Sequence, residues 1–65
     1  MNIKLNLKVL HQMEEDFLQL HVRASQLPEK KWGEHKAALM REISEKLQCV
    51  KTLQAHYRAV LEQSK

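Results

Sequence analysis

Four histidines, one cysteine and a run of three carboxylates are the side chains here that could bind a metal or move a proton. They are His11, His21, His35, His56, Cys49, and Glu14, Glu15 and Asp16 in a chain of 65 residues. Two metal ligands on one helix must sit three or four residues apart to share a side. No His–His or His–Cys pair has that spacing. Cys49 and His56 share a heptad position, but about 10 Å of helix would separate them. No Glu-x-x-His occurs, which leaves a di-iron bundle without its ligand pattern. His11 with Glu14 or Glu15 has the spacing for a weak surface site, and the plainer expectation is a set of solvated residues.

Catalysis fares no better. A working carboxylate pair needs a cleft that pushes one pKa up, and the expectation for residues 14–16 is a solvated helix face. Cys49 falls mid-helix, away from any helix N-terminus that would favour its thiolate, so it is expected to be a small, partly buried packing residue. One glycine in the whole chain rules out a glycine-rich phosphate loop, and no Ser/His/Asp set has a geometry that two helices would assemble. No catalytic, cofactor-binding or metal-binding residue is assigned, and a non-enzymatic protein is expected.

The elements that would position these residues are few. Sixty-five residues make one domain, and chains this short bury only about 60% of the surface exposed when unfolded. Small domains recover stability through disulfides, metals or association. A lone cysteine excludes an intrachain disulfide and fits a reducing compartment, so association is left. Hydrophobic residues at 43% and charged residues at 29% mark a folded or coiled-coil chain, not a disordered one. The net charge of +3 is spread along the chain, and Lys30-Lys31 is its one adjacent basic pair, which argues for no particular acidic partner. Aromatic content of 5% is thin for a nucleic-acid stacking surface. No stretch of about 18 apolar residues exists to span a membrane. Lys4, Asn6 and Lys8 interrupt any secretory h-region. A cytoplasmic protein is the expectation.

Leu27-Pro28 is the clear boundary. Proline disfavours helix in the residue before it and suits the first position of a new one. Glu29 then sits where the positive end of the helix dipole favours a carboxylate, and Ser25 is a candidate cap nearby. Helix one is expected over about 5–26, the turn at 27–28, and helix two over about 28–63. A break this short makes the helices antiparallel neighbours. The start of helix one is ambiguous. Ile3, Leu5, Leu7 and Val9 alternate with Lys4, Asn6 and Lys8, as in a half-buried strand. Ile3, Leu7, Leu10, Met13, Phe17, Leu20 and Ala24 also fit a helical stripe, and helix is favoured. Gly33, inside helix two, is read as a close approach by a helix-one side chain.

Helix two divides into heptads. Ile43, Val50 and Tyr57 take position a; Trp32, Leu39, Leu53 and Val60 take d; Met40, Leu47 and Leu61 widen the face at e; Lys36 and Lys46 interrupt. A stripe this wide fits a helix with more than one neighbour. Length sharpens the point. At 1.5 Å per residue, a helix one folded back from Pro28 reaches only to Cys49 or Val50. Leu53, Tyr57, Val60 and Leu61 then lie beyond its cover, and burying each is worth about 1.5–3 kcal/mol.

The fold class expected is therefore all-α: an antiparallel helical hairpin with a long second helix, completed into a bundle by oligomerisation or a partner. The function expected is a protein-protein interaction module of adaptor, chaperone or assembly-subunit layout, bound to itself or to a helical partner through Val50, Leu53, Tyr57, Val60 and Leu61. The second reading is a small DNA-binding dimer of ribbon-helix-helix type. Residues 3–9 would form its strand, and Lys4, Asn6 and Lys8 would face the major groove. The length of helix two and the Leu27-Pro28 turn count against it. A third reading is a piece of a larger assembly whose absent segments bury the bare face.

Overall fold

The computed structural model describes residues 2–63 and contains two helices, α1 (Ile3–Ser25) and α2 (Glu29–Gln63), packed antiparallel. The all-α hairpin is as expected. The strand over residues 3–9 is not formed: α1 begins at Ile3, two residues earlier than the helix expected from about Leu5. Asn2 decides the matter. Its Oδ1 accepts the Leu5 N–H at 3.0 Å, and its carbonyl accepts the Asn6 N–H at 3.0 Å. A side-chain cap at the first turn satisfies a donor that would otherwise be orphaned, worth about 1 kcal/mol.

Around the break, α1 closes with three-residue bonds, Gln26 N–H to the Arg23 carbonyl and Leu27 N–H to that of Ala24, both 3.2 Å. Ser25 caps nothing downstream; its hydroxyl donates back to the Val22 carbonyl at 2.6 Å. The Pro28 carbonyl receives the Trp32 N–H at 2.9 Å and so opens α2 from the capping position.

The seam between the helices is a coiled-coil stripe on each. On α1 it runs Ile3, Leu7, Leu10, Glu14, Phe17, His21 and Ala24, in steps of four and three, all buried or half-buried. On α2 it runs Lys36, Met40, Ile43, Leu47, Val50, Gln54, Tyr57 and Leu61 in the same steps. The covered heptad positions of α2 are thus a and e. The d residues Leu39 and Leu53 stand on its flank, 42% and 46% exposed.

The register overturns the length argument. Glu14 meets Gln54 across the seam. Val9 and Leu10 share a groove with Leu53 and Tyr57, and Leu20 and Ala24 share another with Leu39 and Ile43. A reversal at Pro28 would have set Leu10 near Lys46. The chain instead continues outward past Pro28 and turns back at Gly33, whose backbone leaves helical geometry (φ 13°, ψ −100°). Glycine is a recurrent site of sharp helix bends. Glu29 and Lys36 lie on either side of this one and pair at 3.7 Å. Gly33 is no close approach, since a Cβ there would meet nothing within 4 Å. The start of α1 therefore runs alongside the end of α2, and the unpaired part of α2 lies at the turn. The pair forms a rod 54 × 14 × 14 Å.

Candidate docking face

Two helices offer each other one stripe apiece, and the sequence supplies more apolar residues than that. Among the described residues the buried apolar set is Leu10, Ala24, Ile43 and Val50, and no large side chain is fully buried. The remainder is distributed unevenly around the rod. Val9, Met13 and Leu20 lie on one side of α1, next to the seam. Leu39 and Leu53 lie on the matching side of α2. All five are more than a third exposed. The grooves at Val9/Leu53 and Leu20/Leu39 both open on this side. The opposite side presents exposed His11, Glu15, Ser44, Lys51 and Arg58, interrupted by Leu18 and Val22 near the end of α1. The rod therefore has one broad apolar face and one mainly polar face.

The residues proposed for partner contact divide on this geometry. Val50 is 4% exposed and lies within the seam. Tyr57, Val60 and Leu61 are half-buried beside the start of α1. Leu53 is the member of the set on the open apolar face. Trp32 is 40% exposed beside Leu27 and Leu39, with the Lys31 ammonium 5.9 Å from its ring centroid. Lys4 and Lys8 are exposed along α1, whereas Asn6 is half-buried in the groove near Tyr57. With residues 3–9 helical, the three no longer line the single strand face that the ribbon reading requires.

The polar residues differ from expectation in two places. Glu14 is not on a solvated face. It sits at a seam position and accepts from Gln54 Nε2 at 3.3 Å, and Gln54 is 5% exposed. The spacing held the signal, because residue 54 repeats every seventh place with Met40, Leu47 and Leu61, and residue 14 falls between Leu10 and Phe17 on the α1 stripe. Cys49 is exposed, a correction to the expected packing role. His11 does reach the acidic run, with Nδ1 3.7 Å from Glu14 Oε1 and Nε2 3.2 Å from Glu15 Oε1. Among the described residues no group of three His, Cys, Asp or Glu side chains is placed to hold a metal. His56 and Tyr57 meet edge to face at 5.6 Å. No helix among the described residues is long and apolar enough to cross a membrane.

Comparison with known proteins adds no relative: no family model matches the chain, and neither a curated protein nor a solved structure does.

Proposed function

We propose that this protein is a non-enzymatic interaction module, an adaptor, chaperone or assembly subunit, that docks through the apolar face of its hairpin. The supporting observation is the clustering of Val9, Met13, Leu20, Leu39 and Leu53 on one side of a rod whose other side is mainly polar. A contiguous apolar patch rimmed by polar residues marks an interaction surface, and helix-on-helix docking uses anchors at this spacing. The thin core supports the same reading. Four buried apolar residues are few for a domain that has no disulfide, and covering the open face would add burial worth about 1.5–3 kcal/mol for each large side chain fully enclosed. The site of action proposed is the cytoplasm, which a single unpaired cysteine fits.

A photoreactive side chain placed at Leu53 or Leu20 in cells tests this. Discrete crosslinked species are expected from both positions and none from Ser44 or Ala55 on the other side. Equal crosslinking from the two sides, or none from either, would end the proposal.

A further inference from the structure

The open face carries a second heptad stripe on α1, distinct from the seam. Val9, Met13, Asp16, Leu20 and Arg23 follow one another in steps of four and three, the spacing that keeps a row of residues in line along a helix, and Leu27 lies just past the end of α1 beside Leu20 and Arg23. Asp16 and Arg23 are both exposed. Leu20 stands midway between them, four residues after Asp16 and three before Arg23. Turned end for end about Leu20, the middle of the row matches itself: Leu20 meets Leu20, Asp16 meets Arg23, and Met13 falls opposite Leu27, with Val9 outside the matched part.

We infer that the occupant of this face is a second copy of the chain. The two rods lie face to face and antiparallel, α1 on α1, about a two-fold axis near Leu20. The inference rests on the docking reading above and names its partner. Self-complementarity under a two-fold operation is the requirement of an isologous interface. Asp16 and Arg23 of α1 meet it with their pair made twice, and on α2 the same operation sets Leu39 opposite Leu53 and the exposed Lys46 opposite its own copy. The size also fits. A face 54 by 14 Å gives a footprint close to the ~800 Å2 per partner that a stable interface buries. Stacking two hairpins in this way yields a four-helix bundle with antiparallel neighbours, in which each helix buries two adjacent stripes instead of one. The exposure of Val9, Met13, Leu20, Leu39 and Leu53 in the single chain is then the surface the second copy covers.

Charge reversal tests both the partner and the register. Sedimentation equilibrium of the full chain should give a dimer. Asp16→Arg leaves a cation opposite each Arg23, and Arg23→Asp leaves a carboxylate opposite each Asp16. Each variant alone should dimerise at least about tenfold more weakly. An equimolar mixture of the two should recover dimer as a heterodimer, because Arg then faces Asp at both sites, and the double variant D16R/R23D should recover it as a homodimer. Reversing Glu15 and Lys51 on the polar face should leave dimerisation unchanged. Single reversals without effect, or no recovery in the mixture and the double variant, would overturn the antiparallel register. A chain monomeric at about 100 μM would overturn the second copy as occupant. An apolar dye then separates the two ideas: a monomer that binds it strongly, with binding lost in Leu53→Asp, keeps the docking face, and a monomer that binds none loses that as well.

Discussion

Val50 and Leu53 are three residues apart on the same helix and have opposite surroundings. Val50 is enclosed by α1, and Leu53 stands nearly half exposed on the flank. The same contrast recurs nearer the turn, where Ile43 is buried and Leu39, four residues before it, is not. Apolar periodicity marks both stripes equally, yet only one is used by the chain itself. The lesson is that periodicity locates apolar surface, while the chain's own register decides which part of it is left for something else.

Substitutions at the two stripes should separate accordingly. The largest effect is expected from Val50→Asp. An unpaired carboxylate in the seam costs about 3–5 kcal/mol, comparable to the whole stability of a domain this small, so the helical circular-dichroism signal should collapse. Leu53→Asp should keep far more helix and lose association instead. Equal loss of helix in the two variants would erase the distinction between the stripes.

A gentler version uses alanine. Ile43→Ala should lower unfolding stability by about 2–4 kcal/mol, and Leu39→Ala by less than about 1 kcal/mol, read from urea midpoints below the concentration at which the chain associates. The polar pair inside the seam comes next. Gln54→Ala leaves the Glu14 carboxylate without its cross-seam donor and should cost about 1–2 kcal/mol, whereas replacing both residues by leucine should be close to neutral or stabilising. Recovery in the double leucine variant, set against loss in the single alanine variant, is the check. The smallest effect is at the end of α1 that lies beside Tyr57. Asn2→Ala removes the cap and should cost about 1 kcal/mol, visible as faster amide exchange in the first turn with little change at Ala24.

Much of the architecture was legible. Two helices, a break at Leu27-Pro28 and an antiparallel pairing all follow from one proline and two long breaker-poor segments. The reversal point did not follow, because proline stops a helix without fixing where the chain turns back. Gly33 does that, and a lone glycine in a helical pattern reads equally well as a packing contact. Misplacing the reversal shifted the pairing by several residues and made the end of α2 look bare. The opening alternation from Ile3 to Val9 left a strand open beside the favoured helix, and the Asn2 cap, one residue earlier, resolves it. Glu14 was obscured by its acidic neighbours, although its place between Leu10 and Phe17 held the information. Of the residues expected to meet a partner, Leu53 stands on the open flank, where its heptad position puts it. Met13 and Leu20 fit the same helical stripe as Leu10 and Phe17 in the sequence, but Glu14 and His21 take those seam positions. Together with Val9, Met13 and Leu20 stand exposed on a second stripe that only the register brings level with Leu39 and Leu53.

The register is thus the claim on which the covered end and the open flank both depend. Nuclear Overhauser contacts from the Tyr57 ring measure it most directly. The structure requires cross-peaks from that ring to the side chains of Val9 and Leu10. A Tyr57 ring without contacts to α1, with Leu10 instead giving cross-peaks to Leu47, would place the reversal at Pro28 and contradict it.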